Sequence, residues 1–191
     1  NDLPEDVDLV SLNYLIEHID DVEKLLKLVS AKLSHRGQIT ALVPDLEKNP
    51  YDLVVADHLS HYSKTSYLMQ FQALMEVDQC IYFLEKELLV TTRPGSRPKV
   101  SPIEYPLNVE GLAKTSIDHL LAVRKIAQRL AGEYESFGIL GTAIAGSWLS
   151  CELPGAEIFF IDEDERKQQS RHLDRSVLAP STTPLAVCIN D

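Results

Sequence analysis

Apolar residues follow two different spacings in the first part of the chain. They form short aliphatic and β-branched runs at 7–12 and 38–43, and between these runs they recur every three or four positions over 22–33. The runs predict buried strands, and the intervening spacing predicts a helix that Asp20 or Asp21 caps. The succession of strand, helix and strand is a βαβ unit, which builds a parallel sheet with a right-handed crossover.

The next stretch changes from apolar runs to polar residues. Residues 44–64 are rich in histidine and follow the carboxyl end of a predicted strand, where open α/β sheets bind their ligands. A helix over 66–75 and an antiparallel strand pair over 79–84 and 87–91 are predicted to follow. The prolines and glycine of 91–106 indicate a linker or a long loop.

The last third of the chain begins with the longest amphipathic pattern. An apolar face recurs at helical spacing from Asn108 or Val109 to Glu133 and predicts one long helix. The pattern then predicts a strand at 137–140, a turn at 141–146, a helix at 147–153 and a strand at 158–161. Two βαβ-like segments joined by a helix indicate an α/β protein with two lobes.

Composition excludes several classes of protein. The chain has 191 residues, 45% of them hydrophobic and 25% charged, so it is expected to bury a core rather than to remain disordered. No apolar run is long enough to predict a membrane-spanning helix. A net charge of −11 disfavours binding to nucleic acid. Three widely separated cysteines and no signal sequence favour a reducing, cytoplasmic setting.

A glycine turn is the most specific local motif. Gly141-Thr142-Ala143-Ile144-Ala145-Gly146 follows a predicted strand and opens a helix, and Asp162 ends the next strand. In dinucleotide-binding proteins, the backbone N–H groups of a turn like this one hold a phosphate, and the acidic side chain accepts a hydrogen bond from a ribose hydroxyl. Ala143 replaces the middle glycine of that pattern and crowds the phosphate position. The alternative is that Gly141 and Gly146 only allow close packing of strand and helix.

The histidine-rich loop is the second candidate. His58 is the candidate general base for deprotonating a carbon acid or a hydroxyl, with Asp57 or Tyr62 as the group that orients it. The alternative is that His58 and His61 are loop residues that bond to backbone groups.

Other residue patterns point less directly to chemistry. Glu17 and His18 follow the first strand at its carboxyl end, so both side chains are expected near a ligand cleft. No metal site is predicted, because His58 and His61 form an isolated pair of ligands without nearby cysteines. No motif of a nucleophilic or nucleotide hydrolase is present in the sequence.

Two stretches of the chain resemble parts of one enzyme family. Residues 7–91 resemble the second half of a class I S-adenosylmethionine-dependent methyltransferase domain, through DLVSLNYLIEHIDD at 8–21, LSHRGQ at 33–38 and VPD at 43–45. Residues 134–191 are similar to the C-terminal Rossmann-like domain of sugar C-methyltransferases. That similarity is carried by FGILGTAIAG at 137–146, FFIDED at 159–164 and VLAP at 177–180.

The resemblance implies a domain organisation and a reaction. It implies an α/β fold with an incomplete class I methyltransferase sheet at 1–92, a linker and long helix at 93–133 and a small Rossmann-like lobe at 134–191. The parent protein would transfer a methyl group from S-adenosylmethionine to a small acceptor such as a nucleotide-linked sugar. The glycine-rich donor loop of the family is expected upstream of Asn1. We therefore expect this chain alone to be inactive and to bind S-adenosylmethionine weakly.

The resemblance also implies roles for individual residues. The Tyr-x-Glu-His-x-x-Tyr loop of the family aligns with 55–61, where His58 is kept and Asp57 replaces the glutamate. His58 and Asp57 are the implied catalytic residues. The residues expected to contact substrate are Glu17, His18, His61, Tyr62, Gly141, Thr142, Gly146 and Asp162.

Two other functions remain open at this point. One is a binding module in which residues 134–191 hold a nucleotide diphosphate and the methyltransferase-like half is scaffold. The other is an assembly domain in which the helix at 108–133 pairs subunits into a homo-oligomer.

Overall fold

The chain combines helices with β-sheet in both of its halves, which confirms the predicted α/β class. The computed structural model describes residues 4–94, 108–182 and 188–189. The chain divides into two compact units, Asn1–Ser116 and Ile117–Asp191. Most of the predicted linker at 91–106 lies outside the described residues.

The first unit contains a four-stranded sheet in its described part. Its elements are β1 (Val7–Asn13), α1 (Val22–Ser30), β2 (Leu33–Pro44), α2 (Lys64–Gln72), β3 (Glu76–Phe83) and β4 (Glu87–Arg93). The strand order is β1-β2-β4-β3, with β1 parallel to β2 and the other two pairs antiparallel. The predicted βαβ unit and the predicted antiparallel pair are both confirmed.

The boundary between α1 and β2 differs from the prediction. The side chain of Asp21 accepts a hydrogen bond from the Lys24 N–H at 2.9 Å and so caps α1, which ends at Ser30. Leu33 was predicted to be helical, but it begins β2 and pairs with Val7 of β1. The hydrogen bonds gained in the sheet therefore outweigh the helical spacing of the last apolar residues.

Strand β1 is less buried than predicted. Leu12 is its one buried residue, and Leu9 is 57% exposed. The reason is its place in the sheet: β1 lies at the edge and pairs with β2 alone among the described strands. An aliphatic sequence therefore does not distinguish an edge strand from a central one.

Three aromatic residues in the core of the first unit fix the end of the polar loop. The ring of Tyr62 lies 5.2 Å from that of Tyr67, which in turn lies 5.1 Å from Phe71 in an edge-to-face contact. All three are buried, and the two rings on α2 are fully so. This packing holds the C-terminal end of the loop that follows β2.

The second unit contains a five-stranded sheet in its described part. The helices and strands that follow the linker are α3 (Val109–Glu133), β5 (Ser136–Leu140), α4 (Ile144–Cys151), β6 (Glu157–Ile161), β7 (Arg171–His172), β8 (Arg175–Leu178) and β9 (Cys188–Ile189). The strand order is β7-β8-β6-β5-β9, and all pairs are parallel except β7 with β8. The long helix matches its predicted bounds, whereas α4 begins three residues earlier than predicted.

None of the helices in the described ranges is long and apolar enough to cross a membrane. Cys80 and Cys151 are free thiols.

Candidate functional site

A buried carboxylate organises the loop that follows β2. Asp52 lies in a short 3-10 helix, Pro50–Val54, and is 2% exposed. Its Oδ1 accepts a hydrogen bond from Nδ1–H of His58 at 2.7 Å, and its Oδ2 accepts one from Nδ1–H of His61 at 2.6 Å. An ionised carboxylate only accepts, so both rings carry a proton on Nδ1 and, when neutral, present the lone pair of Nε2.

Asp52 has the orienting role that was predicted for Asp57. The carboxylate of Asp57 is exposed and lies 3.4 Å from Nδ1 of His18, while the backbone carbonyl of Asp57 accepts from the same nitrogen at 3.0 Å. The group that orients His58 is therefore Asp52 rather than its sequence neighbour. Asp52 could not be predicted from the sequence, because it contacts histidines that lie six and nine positions later in the chain. The turn at 50–54 brings these residues together in the fold.

Glu17 is the second buried carboxylate of this loop region. It is 1% exposed, and both of its carboxylate oxygens lack a hydrogen-bond partner. Burial is the largest influence and raises the pKa of Glu17. The backbone carbonyl of Glu17 accepts hydrogen bonds from the N–H groups of Leu59 at 2.8 Å and Ser60 at 3.1 Å. These two bonds hold the histidine loop against the segment that follows β1.

The structure brings together four of the residues that the sequence singled out. The ring of His18 lies 4.8 Å from that of His58 and nearly perpendicular to it, and the ring of His61 lies 6.2 Å from that of His58. Glu17 completes this group. We call Glu17, His18, Asp52, His58 and His61 the histidine cluster. Tyr62 is buried against the core, and burial raises its pKa.

A cleft of about 810 Å³ lies beside the histidine cluster in the first unit. His61 lines it, together with the first turns of α2 and α3 and the apolar side chains of Leu46 and Leu53. Ser63 and Ser66 form a reciprocal capping box at the start of α2. Helix N-termini carry partial positive charge, so this cleft favours a ligand with an anionic part.

The glycine turn of the second unit is closed by its own acidic residue. Oδ2 of Asp162 accepts from the Thr142 hydroxyl at 2.6 Å, the Thr142 N–H at 3.1 Å and the Lys167 ammonium at 3.2 Å, and Oδ1 accepts from the Asp164 N–H at 3.0 Å. Burial alone would raise the pKa of Asp162, but these hydrogen bonds outweigh it and lower the pKa to about 2.

Backbone conformation accounts for Gly141, and close packing accounts for Gly146. Gly141 has a φ of +88°, and a Cβ on Gly146 would lie 2.3 Å from the Gly141 carbonyl oxygen. The Thr142 N–H would donate a hydrogen bond to a phosphate in a nucleotide site, but here it donates to Asp162. The binding of a nucleotide by this turn stays a prediction without a geometric argument in its favour.

The described residues do not fit S-adenosylmethionine as a bound cofactor. A class I donor site needs a glycine-rich turn after a strand and an acidic side chain free to take the ribose hydroxyls. In the described part of the first unit, no strand is followed by such a turn. In the second unit, Asp162 has no such freedom, because Thr142, Asp164 and Lys167 already bond to both of its carboxylate oxygens.

No protein-family model matches the chain, and no curated protein matches its sequence. Solved structures similar to part of it include the complex between the Haloferax volcanii Trm112 methyltransferase activator and the methyltransferase, with 14% identity, a TM-score of 0.42 and coverage of 50% of this chain and 58% of the other. LaPhzM gives 14% identity and a TM-score of 0.41, covering 49% of this chain and 32% of its own.

A third similar structure is the PH0226 protein of Pyrococcus horikoshii OT3. It gives 14% identity and a TM-score of 0.41, covering 50% of this chain and 55% of its own. The chain thus spans between a third and three fifths of the length of these proteins. At this level of similarity the likeness carries no argument about chemistry, which has to come from the site.

Proposed function

We propose that this chain is part of an S-adenosylmethionine-dependent methyltransferase that acts on a nucleotide-linked keto sugar. In this proposal, a histidine held by Asp52 removes a proton from the acceptor sugar. One observation carries the proposal: a buried carboxylate fixes Nδ1 of two histidines and leaves both Nε2 atoms as bases. A carboxylate in this position sets the tautomer and stabilises the imidazolium that forms.

The two histidines differ in access to an acceptor. The side chain of His61 is 28% exposed and lines the cleft, whereas that of His58 is 8% exposed and packs against His18. Because a base has to reach the proton that it removes, we assign the reaction to His61. His58, the base implied by the resemblance, has the same carboxylate partner and is the alternative that the experiment tests.

The proton step follows from this geometry. Nε2 of His61 takes a proton from a carbon next to the ketone of the acceptor, and the electron pair of the C–H bond moves into the enolate. The imidazolium that results is stabilised by Asp52. The enolate is the nucleophile that S-adenosylmethionine would methylate, although the described residues themselves offer no site for this donor.

The cleft supports a nucleotide-linked acceptor. The first turns of α2 and α3 offer a positive electrostatic environment to a diphosphate, although the whole chain carries a charge of −11. Leu46 and Leu53 offer apolar surface to a sugar or base.

Proton removal can be measured without the methyl donor. We would incubate the 191-residue chain with a thymidine diphosphate-linked 4-keto-6-deoxyhexose in D₂O and follow, by ¹H NMR, loss of the hydrogens next to the ketone. The chain is expected to accelerate this exchange, and His61→Ala is expected to reduce the acceleration by about 10²- to 10⁴-fold, the usual contribution of a general base.

Two further variants make the assignment specific. His35 is exposed on β2, so His35→Ala is the matched control and is expected to keep the full exchange rate. Exchange lost in His58→Ala but kept in His61→Ala would overturn His61 as the base. The absence of any acceleration by a chain that circular dichroism shows to be folded would overturn the proposed function.

A further inference from the structure

We propose that Glu17, His18 and His58 form a binding site for one divalent transition-metal ion. Ligand atoms from these three side chains lie within 4.8 Å of one another. The inference does not rest on the proposed proton step, because its three ligands do not include His61, the residue to which that step is assigned.

The state of Glu17 is the first argument. A carboxylate at 1% exposure with neither oxygen hydrogen-bonded is costly to bury, because it loses its hydration without gaining a partner. Such a group calls for a positive charge at hydrogen-bond or coordination distance. The described residues place two imidazoles beside it and no lysine or arginine in bonding contact with it.

The second argument is the way in which the two histidines are held. Nδ1–H of His58 donates to the carboxylate of Asp52 at 2.7 Å, and Nδ1–H of His18 donates to the backbone carbonyl of Asp57 at 3.0 Å. Metal-binding histidines are commonly fixed by a hydrogen bond from the second ring nitrogen to a carboxylate or a carbonyl. In both rings Nε2 is therefore the nitrogen available to a cation.

The backbone also supports the arrangement. The carbonyl of Glu17 accepts from the N–H groups of Leu59 and Ser60, so the loop that carries His58 is fixed to the residue that offers the carboxylate. Ligands at the usual zinc distance of about 2.1 Å lie roughly 3.4 Å apart in a tetrahedron. Because the ligand atoms lie within 4.8 Å of one another, they would have to approach by at most about 1.4 Å to bind one ion.

A second set of ligands in the histidine cluster is less suitable. Asp52, His58 and His61 also lie within 4.8 Å of one another. Both oxygens of Asp52 already accept from the two rings, so a cation there would have to displace two short hydrogen bonds. The carboxylate of Glu17 accepts no hydrogen bond that a cation would have to displace.

The ligand set indicates the class of metal. Two imidazoles and one carboxylate suit Zn²⁺, Fe²⁺, Co²⁺ and Ni²⁺ better than Mg²⁺ or Ca²⁺, which prefer all-oxygen sites. Three protein ligands leave a coordination position open to water or to a ligand oxygen.

The experiment is calorimetric titration of the tag-free 191-residue chain with Zn²⁺, supported by the visible absorption of bound Co²⁺. We expect one site with a dissociation constant in the micromolar range or tighter. Glu17→Gln keeps the shape of the side chain and removes its charge, and His18→Ala removes a ligand that is partly exposed. Each is expected to weaken binding at least tenfold and to change the Co²⁺ spectrum.

Two controls locate the ion within the cluster. His35→Ala and His61→Ala are expected to bind Zn²⁺ within about threefold of the unmodified chain. The proposal is overturned by the absence of saturable binding at 100 μM Zn²⁺ in the folded chain. It is also overturned by undiminished binding in both Glu17→Gln and His18→Ala, or by loss of binding in His61→Ala alone, which would move the ion to Asp52. Circular dichroism of each variant confirms folding before titration.

Discussion

The two βαβ units of this chain use the carboxylates near their strand ends in opposite ways. In the second unit, Asp162 follows β6 and accepts four hydrogen bonds, and its pKa is lowered to about 2. In the first unit, Asp45 follows β2 with one oxygen unpartnered, and burial raises its pKa to about 6. Glu17 has no hydrogen bond to either carboxylate oxygen.

The difference indicates which unit holds the better candidate site. A carboxylate whose bonds are all made within the chain closes a turn and has little left to offer a ligand. Buried carboxylates with unpartnered oxygens are rare in folded proteins, and such groups cluster at functional sites. The glycine turn was the most specific motif of the sequence, yet the first unit holds the better candidate site.

Replacing Asp52 by Asn is expected to have the largest effect, because Asp52 is bonded to both histidines of the loop. An amide cannot accept from both rings in the way that a carboxylate does, so the tautomer and orientation of His61 are lost. We expect proton exchange on the keto sugar to fall at least about 10²-fold. The measurement is the ¹H NMR exchange assay, with the exposed Asp20→Asn as a control that keeps the rate. A full rate in Asp52→Asn would contradict the role of this carboxylate.

Replacing Asp162 by Asn tests the structural role of the second unit. The pKa of Asp162 is lowered from 3.8 to about 2 in the folded chain, so the carboxylate adds stability above pH 3.8 that is lost as the pH falls toward 2. At pH 7 we expect Asn to lower the free energy of unfolding by roughly 1 to 2 kcal/mol. Urea unfolding at several pH values measures this.

The pH dependence separates this explanation from a simple packing defect. The difference between Asp162→Asn and the unmodified chain is expected to shrink between pH 4 and pH 2, where the carboxylate becomes protonated in both states. A difference that stays constant across this range would mean that the charge of Asp162 does not act as described.

Replacing Asp45 by Asn is expected to have the opposite sign and a smaller size. The pKa of Asp45 is raised from 3.8 to about 6, so the unmodified chain loses stability as the pH rises through that interval. Asn keeps an oxygen for the Glu47 N–H, which donates to Oδ1 at 3.1 Å, and removes the buried charge. We expect a gain of about 1 kcal/mol at pH 7 to 8 and no gain at pH 3 to 4. Thermal unfolding at both pH values would show this, and destabilisation at pH 8 would contradict it.

Sequence periodicity predicted the long, regular elements and failed at their junctions. Helix α3 was predicted to within one residue because an apolar face repeats over its whole length. Leu33 fits both a helix and a strand, and only its pairing with Val7 decides between them. Edge and central strands have similar sequences, so the apolar pattern alone did not indicate the exposure of Leu9, which follows from the place of β1 at the edge of the sheet.

The candidate site was predictable in its residue types but not in its partners. The sequence singled out Glu17, His18, His58 and His61, all of which lie together. The sequence-based prediction paired His58 with its neighbour Asp57, because adjacent residues can be read directly from a sequence. The turn at 50–54 that buries Asp52 cannot be read in this way. The contact between Glu17 and the histidine loop joins residues about forty positions apart, which only the fold brings together.

The smallest expected effect is the response of the chain to S-adenosylmethionine, which tests the structural role of the glycine turn in the second unit. The turn at 141–146 is the one glycine turn after a strand among the described residues. Its Thr142 N–H donates to Asp162, and Ala143 adds a methyl group where backbone approaches a phosphate in dinucleotide sites. Equilibrium dialysis of the 191-residue chain with labelled S-adenosylmethionine is therefore expected to give a dissociation constant weaker than micromolar. Thr142→Val, which removes the hydroxyl bond to Asp162, is expected to leave that weak binding unchanged, because the N–H bond remains. Micromolar or tighter binding that Thr142→Val alters would mean that the turn opens to hold the donor, and Asp162 would then be a ligand-binding residue rather than a structural one.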